Sequence, residues 1–493
     1  MEKTEAELPI KHQLKSNYLS FSETIAQSFA NIAPTLTPAL SIPLVAASAG
    51  DGTWLVYLVS MIGLSIVGKN ITVFAKRVAT PGALYTYVKE GLGSFWGFGT
   101  GWAMMAAYLG TAMAVLVGFS IFAQLLATSI GIHIPEVLWL IIGISLVWYL
   151  AYKDIRLSAK IALIMEFGSV GLIVILGLVV FFAHGIHLDT NQIALKNVSF
   201  SGLALGMVLT VFSYVGFESS ATLGRESKNP HRTIPRAVRI SLMVAGIFFI
   251  SLSYIEVMGF PGGLSALEKS SSPLNQMATA YNVPWFGLLT DFGATISLFS
   301  CTLASVNAGS RILFSMSQDQ HFHNNIGISH SVNKTPHIAV NITSGIVLVA
   351  TLLLSNTQAL NAYGYFGTYA TYGFIFAYIM ISIAAPLFLK SINELKAKNI
   401  INSSLSIIFL LIPLVGSVYP VPSAPYNLLP YLFLVYMAGG YSWYLYSNRK
   451  TNKDTLLLTN TNLESSLTQD TIGIMADSPM IDPPTIEPPF IQE

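Results

Sequence analysis

Two prolines interrupt a stretch of the chain that is otherwise apolar and long enough to cross a membrane. Pro34 and Pro38 lie four residues apart within residues 24–48. A proline inside a helix removes a hydrogen bond and clashes with the preceding turn, so the pair predicts an interrupted helix. Thr37 then suits the N-cap and Pro38 the first position of a restarted helix. The restarted half would direct its positive end at the middle of the membrane, where it favours an anion. A kinked helix that only packs is the alternative.

A second interruption is predicted where a glycine stands beside a carboxylate. Gly216 and Glu218 lie well inside the apolar residues 200–224. An ionised side chain at the centre of a bilayer costs about 3 kcal/mol or more, so it marks a partner or a pathway. Backbone that leaves the helix at this depth is tolerated only where it is packed in protein or lines a cavity. Interrupted helices at corresponding positions of two halves are typical of the central binding site of a transporter.

Glu166 is a further carboxylate inside an apolar stretch, residues 158–183. Burial in a medium of low dielectric constant favours the neutral form of a carboxyl group. We therefore predict that Glu166 or Glu218 carries a proton that is coupled to the entry of a substrate. A fixed, hydrogen-bonded structural role is the alternative for both residues, and a cation ligand is a third interpretation of Glu166.

Oxygen-bearing side chains on a later apolar stretch suggest a different coupling ion. Ser300, Ser305 and Asn307 lie within residues 285–317 and would supply oxygen ligands to a cation such as sodium. Serines in membrane helices mostly bond back to their own helix or join neighbouring helices, which is the plainer interpretation. We expect no bound metal, because the histidines that follow this stretch lack the spacing of a zinc site.

Twelve membrane-length segments position these residues, which predicts an all-α polytopic membrane protein with twelve transmembrane helices. The interrupted segments are the first and the sixth, five spans apart. This spacing fits an inverted repeat of five plus five helices with helices 11 and 12 added. The predicted spans are 24–48, 54–74, 95–127, 136–152, 158–183, 200–224, 234–259, 285–317, 336–354, 362–389, 403–420 and 427–447.

Basic residues favour one side of this arrangement. When the loops are assigned alternately to two sides, 23 of the 25 Lys and Arg fall on or beside the side of the N-terminus, and only Lys196 and Lys269 fall on the other. Cytoplasmic loops hold an excess of basic residues, so both termini are predicted to be cytoplasmic. We expect a multi-pass protein of the plasma (inner) membrane.

The remaining intramembrane charges are interpreted without special roles. Lys69 and Arg311 lie near the cytoplasmic ends of their segments and are predicted to extend their charged groups into the headgroup region. Glu256 and Asp291 lie near the outside ends. The long outside loop after the seventh span is predicted to hold a short lid helix around Leu264–Lys269.

The chain is predicted to divide into three parts. Residues 1–20 form a polar cytoplasmic segment, residues 21–450 form the membrane domain, and residues 451–493 form an acidic tail. The first apolar segment is too long for the core of a cleavable signal peptide. The tail has seven acidic residues against one lysine and ends in proline-rich sequence, so we expect it to be disordered in the cytoplasm. A docking or regulatory segment is the alternative.

Composition excludes several functional classes. Only 10% of the residues are charged and the mean hydropathy is +0.60, whereas ordinary soluble domains are roughly 25% charged. A net charge of +1 gives no reason to expect nucleic acid as a partner. The sequence has no P-loop motif and no Ser-His-Asp arrangement, so we expect neither ATP as an energy source nor an enzyme, and no cofactor.

Three stretches are similar to the amino acid–polyamine–organocation (APC) superfamily, specifically to prokaryotic-type amino acid permeases. The first is Gly216-Phe217-Glu218 together with residues 225–236, which resembles the family's helix six and the loop after it. The others are Lys76-Arg77 through Gly101-Trp102, which contains Pro81-Gly82-Ala83-Leu84-Tyr85, and Ser310 through Asp319 continuing to Thr335-Pro336. The likeness spans roughly residues 20–450.

The resemblance implies the transporter fold with two broken helices in a 5+5 repeat, and an amino acid or related amine as substrate. It implies that the N–H groups of Thr35, Leu36 and Thr37 meet an anionic group of the substrate. The family's first helix usually breaks at a glycine-rich stretch, whereas this chain has no glycine there, and Pro34 and Pro38 have no N–H to donate. The hydroxyl groups of the two threonines would partly substitute.

The same resemblance implies that an ammonium group meets free carbonyls near the sixth helix break. The residues concerned are Phe212, Ser213, Tyr214, Val215 and Gly216, with Phe212 at the position of an aromatic gate. Glu166 lies at a position similar to one where some family members have a lysine that replaces a sodium ion.

The sequence therefore predicts a secondary active transporter of an amino acid or related amine, working by alternating access with proton-coupled symport or exchange. A sodium-coupled transporter of the same fold, or a transporter-like nutrient sensor without net flux, is the alternative. A channel would favour a repeated filter motif or rings of charge, which the sequence lacks.

Overall fold

The structure is a computed structural model that describes residues 14, 16–153, 155–185, 188–196 and 198–447; for residues 155–163 and 165 it describes the backbone only. The acidic tail at 451–493 and most of the predicted N-terminal segment lie outside the described residues. The chain up to Tyr441 forms one compact unit, and of the unit that begins at Ser442 only residues 442–447 are described.

The described chain is helical and has no strand, apart from an isolated bridge between Leu19 and Ser227. The helices are α1 (Phe21–Ile32), α2 (Ile42–Ala49), α3 (Thr53–Ala75), α4 (Leu84–Leu92), α5 (Ser94–Ser129), α6 (Glu136–Lys153), α7 (Ile155–Ala183), α8 (Thr190–Ile193), α9 (Phe200–Tyr214), α10 (Pro230–Gly259), α11 (Leu264–Leu267), α12 (Pro273–Ala280), α13 (Pro284–Gln318), α14 (His337–Leu353), α15 (Ala359–Ser391), α16 (Ala397–Gly416) and α17 (429–447).

The number of membrane crossings is only partly settled by these helices. Nine helical segments in the described part of the chain are long and apolar enough to span a membrane, and the first of them, Phe21–Ala75, contains the first two predicted spans. α14 is apolar but has only 17 residues, and α17 occupies the twelfth predicted span. An all-helical protein with several membrane-spanning segments is confirmed, while the count of twelve and the inverted repeat stay predictions.

The first predicted span is interrupted as expected. α1 ends before Ala33, which has a φ of +46°, and the N–H of Leu36 then donates to the carbonyl of Ala33 at 2.9 Å. The chain resumes as a π-helical turn, Thr37–Ser41, and continues as α2. The prolines therefore separate two half-helices instead of bending one helix.

The predicted N-cap role of Thr37 is wrong. Leu36 occupies the N-cap position, and the hydroxyl of Thr37 has no hydrogen-bond partner among the described residues. The tight turn at Ala33 lets helical geometry resume at Leu36, one residue before Thr37 would have capped it.

The sixth predicted span is interrupted at the predicted glycine. α9 ends at Tyr214, Val215 is extended with a ψ of 151°, and Gly216 has a φ of +97°. A short 3-10 helix, Ser219–Leu223, follows the break. A φ as large as +97° is readily adopted only by glycine, so the residue type itself fixes the place of the break.

The two breaks meet. A side chain at Gly216 would lie 2.6–2.8 Å from atoms of Asn31, so the two backbones are in direct contact. Ser28 Oγ donates to the carbonyl of Phe217 at 2.9 Å and accepts from the N–H of Ser220 at 3.1 Å. Side chains of α1 thus satisfy backbone groups that the second break leaves without helical partners.

Small residues let the central helices approach closely. α5 packs along both α13 and α15. A Cβ at Gly110 would lie 3.0 Å from that of Ala370, and a Cβ at Gly373 would lie 3.0 Å from that of Ala107. Close backbone approach at glycine and alanine is a general means of helix association in membranes.

α16 begins six residues before its predicted start, at Ala397 instead of residue 403. Its first turns are polar, so an apolar pattern does not mark them. Asn402 Nδ2 donates to Asn70 Oδ1 at 3.0 Å, and Asn70 Nδ2 donates to Ser382 Oγ at 3.2 Å. This polar cluster joins α16 to α3 and α15.

The structure brings several of the basic loops together. Arg77 forms an ion pair with Glu394, and Lys89 forms one with Asp319 at 2.7 Å. These contacts place the loop after α3, helix α4 and the segments after α13 and α15 at one end of the protein, which we call the basic end. The alternation of loops predicted from the sequence agrees with this placement.

The opposite end holds the short helices. The indole N–H of Trp54 donates to the carbonyl of Gln192 at 3.3 Å, which joins α8 to the start of α3. Tyr281, after α12, donates through its hydroxyl to the carbonyl of Gly259 at 3.0 Å. The predicted lid helix is confirmed as a helix, α11, and its function as a lid stays a prediction.

We predict that Gly216→Ala destabilises the protein by roughly 1–3 kcal/mol, because alanine is strained at this φ and its methyl group meets Asn31. The measurement is the midpoint of thermal unfolding of the detergent-solubilised protein. Gly345→Ala in α14 is the matched control, because a Cβ there meets no atom within 4 Å. Equal midpoints for the two variants would contradict the close contact of the breaks.

Candidate functional site

Four buried polar atoms without partners belong to the two breaks or to residues that contact them. Asn31 Nδ2, Thr37 Oγ1, Glu166 Oε2 and Ser220 Oγ are buried and have no hydrogen-bond partner within the described ranges. Each unsatisfied buried group costs about 1–3 kcal/mol. Native proteins rarely keep several together unless water or a ligand pairs with them. The meeting point of the breaks is therefore the candidate binding site.

Glu166 connects the first break to two other helices. Its side chain is 2% exposed. Its Oε1 accepts hydrogen bonds from the N–H and the hydroxyl of Thr35, both at 3.2 Å, and from Ser297 Oγ at 2.9 Å. The structure thus confirms that Glu166 is buried in the protein and places it at the first break, which the sequence did not predict.

The N–H groups predicted to bind an anion are partly occupied in this conformation. The N–H of Thr35 donates to Glu166, and that of Leu36 donates to the carbonyl of Ala33. The hydroxyl of Thr37 stays unpaired in the described structure. A carboxylate of the protein therefore already holds the position that was predicted for an anionic group of the substrate.

The cavity beside Glu166 is small. It has a volume of about 30 Å³ and is lined in part by Phe29, Pro34, Glu166, Phe167 and Phe248. One water needs at least ~10–15 Å³ measured in this way, whereas ligand pockets are typically ~300 Å³ or larger. A larger cavity of about 260 Å³ lies toward the opposite end, between α2, α9 and α15.

Glu218 is held by two tyrosines. Its Oε1 accepts from the hydroxyl of Tyr108 at 2.9 Å, and its Oε2 accepts from the hydroxyl of Tyr378 at 2.7 Å and from the N–H of Gly216 at 3.2 Å. The side chain is fully buried. Glu218 therefore ties the second break to α5 and α15, and both of its oxygens have partners, unlike those of Glu166.

The residues before the second break pack against neighbouring helices. The ring of Phe212 lies edge-on to that of Tyr363, with centroids 6.1 Å apart, and its carbonyl accepts from the N–H of Val215 at 3.3 Å. Ser213 Oγ lies 3.3 Å from the hydroxyl of Tyr57, and the hydroxyl of Tyr214 donates to the carbonyl of Tyr57 at 3.0 Å. The side chains of Ser213 and Tyr214 thus face α3.

One of the three predicted cation ligands on α13 lies against the first break. Ser305 Oγ donates to Asn31 Oδ1 at 2.6 Å. Ser300 and Asn307 are buried, but neither side chain has a hydrogen bond to α1 in the described structure. Cys301 also contacts this region, since its Sγ donates to the carbonyl of Asn31 at 3.3 Å.

Comparison with known proteins identifies the family. Residues 25–448 match the family model named amino acid permease. The chain belongs to the amino acid permease family. The resemblance to the APC superfamily that the sequence motifs suggested is thereby confirmed.

Three relatives illustrate the similarity of this family member to known transporters. It is 23% identical over 313 residues to the branched-chain amino acid permease BcaP of Bacillus subtilis (strain 168), covering 60% of this chain and 66% of that permease. It is 27% identical over 353 residues to the serine/threonine exchanger SteT of the same organism, covering 68% and 77%. It is 24% identical over 357 residues to the cationic amino acid transporter 4 of Mus musculus, covering 68% and 54%. The chain thus spans slightly less than two thirds of the first relative and about half of the third.

The sequence did not predict several residues of this family member's site. Asn31 could have been recognised, because it is a polar amide inside the first apolar span. The sequence gives no indication of a role for Ser297, Tyr108 or Tyr378. Their contacts with the carboxylates join segments more than 100 residues apart.

The prediction that Arg311 extends into the headgroup region is wrong. Its side chain is 1% exposed, and its Nε and Nη2 donate to the two carboxylate oxygens of Glu226 at 2.8 and 3.0 Å. The backbone carbonyl of Glu226 also accepts from the N–H groups of Tyr18 and Leu19 at 2.8 Å. This buried pair therefore joins α13, the loop after the second break and the segment before α1. A partner from so distant a loop was not visible in the sequence.

Two carboxylates near the opposite end lie inside the protein. The side chains of Glu256 and Asp291 are both buried. Asp291 accepts from Asn275 Nδ2 at 2.5 Å, whereas neither oxygen of Glu256 has a hydrogen-bond partner among the residues described. Asn275 lies on α12, in the long loop that was predicted to hold a short lid helix.

We predict that Arg311→Met costs about 3–5 kcal/mol of stability, because it leaves the Glu226 carboxylate buried without its cation. The double variant Arg311→Met/Glu226→Leu should recover most of the loss. The midpoint of thermal unfolding in detergent measures both effects.

Arg77→Met is the matched control for this pair, since Arg77 and Glu394 form an exposed ion pair that is worth at most about 1 kcal/mol. If Arg311→Met and Arg77→Met lowered the midpoint equally, the buried pair would not hold the basic end together.

Proposed function

We propose that this protein is a secondary active transporter that moves an amino acid or related amine by alternating access, coupled to a proton by symport or exchange. The observation that carries the proposal is the group of unpaired polar atoms where the two helix breaks meet. Membership of the amino acid permease family supports it, as do relatives named as an amino acid permease and an amino acid exchanger.

The proposal includes twelve transmembrane helices in a 5+5 inverted repeat followed by two further helices. Both termini lie in the cytoplasm, the basic end faces the cytoplasm and the protein resides in the plasma (inner) membrane. The excess of Lys and Arg on the loops of one side supports this orientation.

Competition between two carboxylates would couple the proton to the substrate. Glu166 accepts from the N–H and hydroxyl of Thr35, which are donors that an amino acid carboxylate would also need. A protonated Glu166 is a poorer acceptor and releases these donors. The substrate carboxylate then binds at Thr35 and Thr37 once Glu166 carries a proton.

Opening of the site requires a half-helix to move. The cavity at Glu166, at about 30 Å³, is too small for an amino acid, so a conformational change must precede binding. α1 is separated from α2 by the break, and side-chain hydrogen bonds attach α1 to the second break and to α13. These include Ser28 with the carbonyl of Phe217, and Gln27 Nε2 with the carbonyl of Ala304 at 2.9 Å. Movement of α1 with the loss of these bonds would open the basic end.

We predict that Glu166→Gln abolishes substrate accumulation driven by a pH gradient while exchange at equal pH continues, because glutamine cannot take up a proton. Uptake of radiolabelled leucine, serine and arginine into proteoliposomes, with the outside acidic, is the measurement. In the wild type, accumulation should rise as the outside pH falls. Glu136→Gln is the control, a carboxyl on α6 that bonds Ser120 away from the breaks.

Glu218→Gln extends the same experiment. It keeps the size of the side chain but weakens the bonds to Tyr108 and Tyr378, so we expect loss of both exchange and accumulation. Full gradient-driven accumulation in both the Glu166 and Glu218 variants would exclude proton coupling through either residue.

We predict that Thr37→Val and Phe212→Ala each raise the apparent KM for uptake about tenfold, the loss of about 1.4 kcal/mol of binding. Thr351→Val is a matched control, since the Thr351 hydroxyl donates to the carbonyl of Val347 in its own helix at 2.9 Å. An unchanged KM in both test variants would remove Thr37 and Phe212 from the site.

Sodium coupling and sensing are the alternatives, and the same vesicles distinguish them. The contact of Ser305 with Asn31 brings one predicted cation ligand to α1. Uptake that stops when external sodium is replaced by potassium at constant pH would favour a sodium-coupled transporter. Saturable binding without any flux would favour a sensor.

A further inference from the structure

Three arginines on α10 form a charged stripe that the transport site does not use. Arg232, Arg236 and Arg239 recur at intervals of four and three residues, which places them on one face of the helix. All three are exposed, and they lie within about 10 Å along the helix axis, because a helix rises about 1.5 Å per residue. Arg225 and Lys228, both also exposed, precede the helix. We call these five residues the basic patch.

The basic patch lies at the basic end of the protein. A Cβ at Gly224, just before the patch, would clash with backbone atoms of Thr80, in the loop after α3 that belongs to this end. The other end of α10 is distant, since the carbonyl of Gly259 accepts from Tyr281 beside the short helices of the opposite end. The patch therefore lies where α10 leaves the membrane on the side of the basic loops.

The arginine stripe continues into an apolar, exposed face of the same helix. Four large apolar side chains follow on this face and are 39–60% exposed, namely Ile240, Met243, Val244 and Ile247. Exposed apolar surface of this kind on a membrane protein contacts lipid. Since the arginines follow directly on the lipid-contacting face, they lie at the level of the lipid headgroups.

The charges of the basic patch have no acidic partners. None of its five residues forms an ion pair within the described ranges, whereas Arg77, Lys89 and Arg311 at the same end each pair with a carboxylate. The carboxylates of the adjoining segments are engaged elsewhere. Glu226 is held by Arg311, and Glu23 on α1 accepts from the N-cap residue of its own helix. The patch therefore has its positive charge available for an anion outside the protein.

The protein itself holds two of the three guanidinium groups. The guanidinium of Arg236 lies over the ring of Phe21, the first residue of α1, at 5.4 Å from the ring centroid. This is the geometry of a cation–π contact. Arg239 donates through Nε to the carbonyl of Pro235 at 3.3 Å, and its two terminal nitrogens have no partner among the described residues. These groups are positioned before any ligand binds, which lowers the entropic cost of binding.

We propose that the basic patch is a binding site for the phosphate headgroup of an anionic phospholipid, whose acyl chains lie along residues 240–247. Arginine binds phosphate through pairs of N–H···O bonds, and clustered basic residues at the membrane surface favour anionic lipid. The site goes beyond the proposed function, because a lipid bound there is neither transported nor coupled to a proton. Binding requires no flux, so the site is tested without transport.

The test is a thermal-shift titration of the purified full-length protein in an uncharged detergent with dioctanoyl phosphatidylglycerol, against dioctanoyl phosphatidylcholine. A ligand that binds the folded state raises its apparent stability. We expect saturable stabilisation of the wild type by phosphatidylglycerol and none by phosphatidylcholine. Arg232→Gln/Arg236→Gln/Arg239→Gln should weaken the apparent affinity about a hundredfold, at about fivefold for each arginine.

The variant Lys390→Gln/Lys396→Gln/Lys398→Gln is the matched control. It removes the same number of exposed positive charges at the same end, but from the end of α15 and the start of α16. This variant should bind phosphatidylglycerol as the wild type does.

A second variant provides the test if the triple arginine variant fails to fold. Arg232→Gln/Arg239→Gln keeps the contact of Arg236 with Phe21 and should still weaken the affinity about twentyfold.

Three outcomes would overturn the site. The first is equal stabilisation of the wild type by the two lipids. The second is an equal loss of affinity in the arginine and lysine variants, which would mean that the charges attract anionic lipid without a specific site. The third is saturable stabilisation by sodium phosphate that the arginine variant also removes, which would indicate a soluble anion. Failure of uptake in vesicles with lipid binding intact would count against the transporter and not against this site.

Discussion

Backbone groups that leave a helix inside a membrane must find partners other than water, and this constraint shapes the centre of the protein. At the first break the N–H of Thr35 is satisfied by Glu166, and at the second the N–H of Gly216 is satisfied by Glu218. Ser28 supplies the partner for the carbonyl of Phe217. Each break is therefore stable only because side chains from another segment, or from two residues further along the chain, are present beside it.

This dependence explains why buried carboxylates differ in what they can do. Glu218 and Glu226 have partners for both oxygens, from two tyrosines in one case and one arginine in the other. Glu166 has partners for one oxygen only, and Glu256 has none that the described structure shows. A carboxylate whose two oxygens both accept hydrogen bonds is a structural support. A carboxylate with an unpaired oxygen can exchange a proton or a cation at lower cost. The number of hydrogen-bonded oxygens therefore separates the structural carboxylates from those that are candidates for proton or cation exchange.

The helices and their breaks were predictable because local chemistry determines them. The apolar runs fix the helices, the proline pair fixes the first break and Gly216 fixes the second. The N-cap role of Thr37 failed because a positive φ at Ala33, which no local pattern announces, let the helix restart earlier.

Contacts between distant segments could not be predicted in this way. The pairing of Arg311 with Glu226, and of Glu218 with Tyr108 and Tyr378, depends on which helices become neighbours in space. A single sequence contains the residue types for these contacts but no record of their pairing. The expectation that Arg311 meets lipid headgroups followed from its place near the end of an apolar segment. It was wrong because Glu226 from a distant loop pairs with it inside the protein.

The position of Cys301 has a practical consequence for work on this molecule. It is the single cysteine of the chain, and it is buried. Its thiol donates a hydrogen bond to the carbonyl of Asn31 on α1, the half-helix whose displacement would open the basic end. If α1 moves as proposed, its separation from α13 would expose this sulfur to a maleimide or a spin label. The native chain would then contain its own reporter of the proposed movement, and labelling kinetics would follow it without an engineered cysteine.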